Sequence, residues 1–248
     1  MDDNGSFDRQ GRSVNPLCRF RNADEGACRN LSRLGARPLS EVFAPLERRA
    51  TSRPLRAVAI GAGREIPRRL AGRGWQTAAV DLPGGDEQGV GADGDARGES
   101  DAPLIQANLE RLPFADAQVD VVLYVDCFHF AEDYWEALGE ARRCLRWGGQ
   151  VVICGTPVYS HWRFGEADRD RRIEAGFHHG CRPGETLLSM GYLDDTMLDR
   201  LQRELNIRWR VSKPRKGLAA VWSRLGQAFA PETAPALDWI LVGEWSPG

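Results

Sequence analysis

Gly61, Gly63 and Asp81 are the residues of this 248-residue chain whose types and spacing point most directly to chemistry. The apolar run Val58-Ala59-Ile60 meets the turn Gly61-Ala62-Gly63, and a second apolar run ends in Asp81. Glycine lets a backbone turn sharply at a strand tip and leaves room for a ligand against the main chain. An acid about 20 residues past such glycines can accept hydrogen bonds from a ribose diol. The pattern of strand, tight turn, helix, strand and acid predicts a nucleoside-containing cofactor.

The type of nucleoside follows from a missing residue. A dinucleotide fingerprint reads G-x-G-x-x-G, but here the last position is Ile66, followed by Pro67. Without that glycine a pyrophosphate would be crowded against the helix start. S-adenosylmethionine carries no pyrophosphate and does not need the approach. Taken alone, the glycine pair also fits an ordinary strand-to-helix turn.

Two downstream segments narrow the reading. Leu112-Pro113-Phe114 precedes Asp120-Val121-Val122, and Leu145-Arg146-Trp147-Gly148-Gly149 precedes a further apolar run. In this order, across roughly residues 55–158, the motifs resemble the class I S-adenosylmethionine-dependent methyltransferases of the small-molecule and glycan-type branch. The resemblance implies S-adenosyl-L-methionine as cofactor. It implies cofactor contacts at Gly61, Ala62, Gly63, Asp81, Leu82, Asn108, Leu109 and Tyr124, and no metal.

The chain departs from the family pattern at four positions. Ala59 stands where an acid usually precedes the turn, and Glu65 replaces the third glycine of the turn. Asn108 replaces an acid, and Trp147 replaces a proline. Asn108 can still accept a hydrogen bond from an adenine amino group. Glu65 puts a charged side chain near the methionine end of the cofactor. If Glu65 occludes that end, the chain is a non-catalytic binding module on the same fold. A nicotinamide-dependent oxidoreductase is the remaining alternative, disfavoured by Ile66 and by the two downstream motifs.

Methyl transfer asks little of the protein beyond alignment of a nucleophile in a dry pocket, with a general base where the acceptor is a hydroxyl. Open α/β sheets bind ligands at the carboxyl ends of their strands. His129 follows the fourth predicted strand and matches a histidine common at that point in the family. Tyr159 and His161 follow the fifth. His129 and Tyr159 are the catalytic candidates, with a packed histidine between Phe128 and Phe130 as the competing reading. His178, His179 and Cys181 read H-H-x-C, which fits no common zinc arrangement. The acceptor is expected to be a small molecule or a glycan, methylated at oxygen.

The elements that must position these residues are strands at 56–60, 76–81, 103–107, 119–125, 149–155, 207–212 and 238–244. Helices are predicted at 64–73, 132–145, 161–175 and 194–205, with a short one near 87–92. The fold class is α/β: a Rossmann-like, mostly parallel seven-stranded sheet with helices on both faces and an antiparallel C-terminal edge hairpin. Residues 1–50 form an N-terminal extension, disordered at first and then helical, that serves as a lid or a packing element. Residues 51–248 form the methyltransferase domain, with a cap at about 159–205. The Gly- and Asp-rich segment 83–101 reads as a loop, and 213–230 as a basic start to an amphipathic helix.

Composition sets outer bounds. Hydrophobic content of 42% and charged content of 27% are ordinary for a globular protein. The net charge of −2 supplies no field to recruit nucleic acid. Lysine occurs only at Lys213 and Lys216, which reads as a GC-rich coding bias. The six cysteines form no C-x-x-C pair and read as buried thiols. No apolar run is long enough to span a membrane, and Met1 is followed by two aspartates, so the expected location is the cytoplasm.

Overall fold

The computed structural model describes residues 36–49, 53–81, 103–178, 189–212 and 239–245. In chain order the elements are helix α1 (Ala36–Arg49), β1 (Arg56–Ile60), α2 (Glu65–Ala71), β2 (Gln76–Asp81), β3 (Leu104–Gln106) and β4 (Val119–Val125). A 3-10 turn (Phe128–Phe130) follows, then α3 (Tyr134–Cys144), β5 (Leu145–Cys154), β6 (Val158–Tyr159) and α4 (Trp162–His178). The last elements are β7 (Leu193–Asp194), α5 (Asp195–Leu205), β8 (Ile207–Ser212) and β9 (Ile240–Trp245).

Seven strands form one sheet in the order β3-β2-β1-β4-β5-β9-β8. β1 to β5 run parallel, β9 is antiparallel to β5, and β8 pairs antiparallel with β9. The strand order reverses between β1 and β4, which are adjacent in the sheet but separated in sequence. That reversal opens the crevice where such sheets take ligands.

The central strands are apolar over 57–60 and 121–125 because both of their faces are covered there. Val58, Ile60, Val122 and Tyr124 pack into one cluster with α3 and α5 residues such as Leu138 and Leu201. Ala57, Ala59, Leu123 and Val125 pack into a second cluster with α1 and α2 residues such as Phe43 and Leu70. A fully buried Val, Leu or Ile contributes about 1.5–3 kcal/mol, so these two layers fix the register of β1 against β4. Ala59 is buried in the second cluster, where an acid would lie among apolar side chains.

The N-terminal helix is a packing element. Val42, Phe43 and Leu46 are buried, and the Phe43 ring lies 5.2 Å from the Trp75 ring. Glu47 accepts hydrogen bonds from Arg73 and from the Trp75 indole. At the opposite end of the sheet from the crevice, Asp120 accepts two hydrogen bonds from Arg53 and one from the Arg56 backbone amide. Burial would raise the Asp120 pKa, but the Arg53 and Arg56 hydrogen bonds outweigh it and hold the carboxyl below its usual value. The Asp-x-Val motif therefore fastens the starts of β1 and β4.

The expected strands at 56–60, 76–81, 119–125 and 207–212 match their observed bounds. β5 starts at Leu145, four residues earlier than the expected strand. Gly148 has φ +75°, and the pairing with β4 is irregular between Val119 and Val121. The Gly-Gly turn is a kink within the strand's own course. The expected loop at 83–101, the short helix near 87–92 and the amphipathic span at 213–230 lie outside the described residues. Cys127, Cys144 and Cys154 are buried free thiols.

Candidate functional site

The carboxyl ends of β1, β2, β4 and β5 converge on one edge of the sheet. β1 ends in the predicted glycine turn, and the two glycines serve different needs. At Gly61 φ is +71°, and a Cβ there would lie 2.5 Å from the Val125 carbonyl oxygen and 2.7 Å from Cys127 Cβ. Gly61 is thus required by packing against the tip of β4. Its amide donates to the Val80 carbonyl, tying the turn to β2. At Gly63 φ is +54°, and a Cβ would meet nothing within 4 Å. Gly63 leaves an open stretch of backbone.

Glu65 opens α2 and turns along the helix, pairing with Arg69 at 2.5 Å with both side chains largely exposed. An acid in the first turn of a helix also suits the helix dipole. Ile66, Pro67 and Leu70 face inward and anchor α2.

Asp81 ends β2 and is buried. Its carbonyl accepts from the Ala107 amide, which brings the start of the Asn108 segment beside it. Asn108 pairs with Arg111 through an isolated bridge, and the Leu109 side chain is buried. Leu82 lies outside the described residues.

Sequence reasoning did not single out Glu140 and Arg143, which fix the Leu-Pro-Phe segment. The Leu112 amide donates to Glu140 Oε2, while Arg143 donates to the Leu112 and Phe114 carbonyls. Arg143 also binds Glu140 and Asp116. The hydrogen bonds from Arg143 hold the Glu140 carboxyl below its usual pKa. Their signal in the sequence is an i,i+3 pair on a helix, too common to read as a clamp on a distant loop.

The Tyr124 side chain is fully buried in the core, its hydroxyl donates to the Ala137 carbonyl at 3.0 Å, and its ring meets Phe128 edge-on. The ring is committed to the layer between β4 and α3, which leaves only the Tyr124 backbone at the strand end. Ile60, its partner on β1, is equally buried.

His129 and Tyr159 both lie at the strand ends, and both are buried. His129 sits in the 3-10 turn with its ring 4.1 Å from Phe130, and its Nδ1 has no hydrogen-bond partner. Burial, with Arg172 nearby, pushes its pKa down to about 3. Tyr159 pairs through β6 with β7 and meets the Tyr192 ring edge-on. Burial, then its hydrogen bond to Asp168, pushes its phenol well above the usual range. Neither group is poised to take a proton near neutral pH. His161 is exposed at the start of α4, where its Nδ1 accepts from the Arg163 amide. His179 and Cys181 lie outside the described residues, and among the described residues no group of His, Cys, Asp and Glu could hold a metal ion.

With this geometry in place, residues 58–153 match the family model described as "methyltransferase domain". Those residues carry a methyltransferase domain, and the cofactor is S-adenosylmethionine. Its architecture is shared with a chain of the Haloferax volcanii Trm112 methyltransferase-activator complex, at TM-score 0.56 and 16% identity over 93% of this chain and 98% of that one. It is also shared with the YcgJ protein of Bacillus subtilis, at TM-score 0.55 and 14% identity over 83% and 98%. A third relative in structure is an S-adenosylmethionine-dependent methyltransferase from Mesorhizobium loti, at 0.54 and 14% over 81% and 96%. At these identities the likeness is one of fold. No curated protein matches the sequence.

The strand-tip turn fits the cofactor. The Gly63 backbone is unscreened, Glu65 is turned onto Arg69, and Asp81 ends the neighbouring strand. Among the described residues, no helix is long and apolar enough to cross a membrane.

Proposed function

We propose that the enzyme transfers a methyl group to an oxygen of a small-molecule or glycan-type acceptor. In this reading the Gly61–Gly63 backbone borders the methionine end of the cofactor and Asp81 accepts hydrogen bonds from the ribose hydroxyls. Asn108, with the Leu109 amide, borders the adenine. The acceptor approaches from the side of His129 and Tyr159, beneath a cap formed by residues of about 159–205. When bound, S-adenosylmethionine supplies a sulfonium methyl group already activated for transfer.

The observation that carries this reading is the contrast at the turn: an open Gly63 and a Glu65 paired away from it. The protein's part is orientation and exclusion of water. His129, held neutral, offers a buried Nδ1 without a partner. That atom suits accepting a hydrogen bond from the acceptor hydroxyl more than storing its proton. Tyr159, held protonated with its hydroxyl donated to Asp168, keeps a phenol oxygen able to accept a hydrogen bond from the acceptor.

Calorimetric titration with S-adenosylmethionine, S-adenosylhomocysteine and NAD tests the assignment. Both adenosyl ligands are expected to bind, and tight binding of NAD alone would overturn it. Asp81→Ala is expected to weaken cofactor binding about 10- to 150-fold, the loss of charge-assisted hydrogen bonds worth about 1.5–3 kcal/mol. Unchanged affinity in a folded Asp81→Ala variant removes Asp81 from the site.

A further inference from the structure

Helix α4 has an unusual inner face. A surface helix ordinarily turns its apolar stripe to the core. Among its described side chains, those turned inward are Gly165, Asp168, Arg169 and Arg172, with Phe164 beside them. A Cβ at Gly165 would lie 2.2 Å from the Tyr192 ring, so the glycine lets the helix backbone close down on that ring. Two arginines and an aspartate thereby lie near enough to Tyr159, Tyr192, Tyr134 and His129 for their charges to act on these groups.

The charges in this layer are incompletely matched. Arg172 donates to the Gly191 carbonyl at 2.9 Å, and its Nε lies 3.1 Å from Asp168 Oδ2, close enough for an ion pair but without hydrogen-bond geometry. Asp168 also binds the Tyr159 hydroxyl and lies 3.7 Å from the exposed Arg171. Arg169 is half-buried with its Nε enclosed and unbonded, and among the described residues it has no ion-pair partner. Glu166 and Asp170 lie on the exposed side of the helix. Asp194, near Tyr192, is engaged in capping α5 through the Met197 amide. Two further buried atoms, His129 Nδ1 and Ser189 Oγ, lack partners.

Buried polar atoms are normally satisfied, and a cation drawn out of water without a counter-charge is costly. Resting on the proposed methyl transfer, we infer that the inner face of α4 is the acceptor subsite and that it takes a carboxylate-bearing acceptor through Arg169 and Arg172. The cation without a partner sets the class of ligand. Among the described residues Arg172 has Asp168 and the Gly191 carbonyl, while Arg169 has no ion-pair partner, so an anionic group on the acceptor would complete the layer. Among the described residues Arg169 supplies the uncommitted fork, suited to bidentate binding of a carboxylate. His129 and Tyr159 then face the other end of the acceptor, where its hydroxyl would lie.

The test is a calorimetric titration of the full chain with benzoate, benzamide and inorganic phosphate, first without cofactor and then with S-adenosylhomocysteine. Benzoate is expected to bind about 10- to 100-fold more tightly than benzamide, the range of charge-assisted hydrogen bonding. Arg169→Gln should remove that preference while leaving S-adenosylhomocysteine affinity within about two-fold, and Arg169→Lys should restore part of it. Equal binding of benzoate and benzamide, absence of benzoate binding, or an unchanged preference in Arg169→Gln would overturn the inference. Phosphate binding more tightly than benzoate would overturn the carboxylate assignment. The cofactor-free titration reads the anion site alone, so failure of the adenosyl ligands to bind counts against the proposed function and not against this site.

Discussion

Two walls meet at the carboxyl ends of the strands, and they are made of different material. The β1–β2 wall is mostly backbone: a turn at Gly61–Gly63 hydrogen-bonded to Val80, and one acid, Asp81, at a strand end. The wall beyond β4 and β5 is made of ionisable side chains. His129, Tyr159, Asp168, Arg169, Arg172 and Tyr192 reach it from a 3-10 turn, a two-residue strand, a helix and a loop. Backbone geometry is set locally and tolerates little variation. A cluster of side chains depends on elements far apart in sequence and can be remade without disturbing the sheet. The division suits an enzyme whose cofactor is fixed and whose acceptor is particular to it.

The comparison can be broken first at the glycines. Gly61→Ala would place a Cβ against the Val125 carbonyl and Cys127 at positive φ. The left-handed conformation costs an L-residue about 1–2 kcal/mol and overpacking about 1–3 kcal/mol, so the variant should lose roughly 2–5 kcal/mol of stability. Gly63→Ala meets open space and should lose only about 1–2 kcal/mol. Chemical denaturation of the two variants side by side checks the difference. Equal losses would mean that the turn is not packed against β4 as described.

The second wall is tested through pH. The folded-state pKa of His129 is lowered from 6.5 to about 3 by burial, with Arg172 adding to the effect. Between those values the unfolded chain takes up a proton that the folded chain refuses. Stability contributed by this group is therefore full above the unfolded pKa of about 6.5 and falls as pH drops, by up to about 1.4 kcal/mol per pH unit. His129→Gln should flatten that slope between about pH 5 and 6.5, above the range in which Asp120 protonates. Denaturation midpoints across that interval give the answer. An unchanged slope would show that His129 is hydrated and not enclosed.

The two walls also differ in how far the sequence disclosed them. The turn, Asp81 and most strand bounds follow from local rules: glycines where φ is positive, apolar runs where both faces are covered, an acid at a strand end. Asn108 was reachable from the order of motifs. The α4 face was not, because its pattern inverts the usual amphipathic rule; R-D-R-R reads as a solvated surface until Tyr192 is known to press on Gly165. The Glu140–Arg143 clamp was hidden for a related reason: its partner carbonyls lie about thirty residues upstream. The direction of the Tyr124 side chain was hidden differently. A strand-end tyrosine beside a turn reads as a ligand contact, but alternation along β4 sends its ring into the α3 layer.

The smallest expected effect falls on Glu65, and it separates an enzyme from a binding module most sharply. Glu65 stands where a third glycine would leave the cofactor's carboxylate unopposed. Its own carboxylate is engaged one helical turn along, with Arg69, and is largely exposed. Exposed i,i+4 pairs contribute a few tenths of a kcal/mol. Glycine in the first turn costs up to about 1 kcal/mol of helix propensity. Glu65→Gly should therefore lower stability by no more than about 1–1.5 kcal/mol and leave S-adenosylmethionine affinity within a few-fold. Titration of the parent and the variant side by side checks both. A large gain in affinity would mean that Glu65 swings back over the turn in solution and blocks it, and that the chain is a binding module on a methyltransferase frame. A large loss would mean that Glu65 holds the ammonium group of the cofactor, moving it from bystander into the β1–β2 wall.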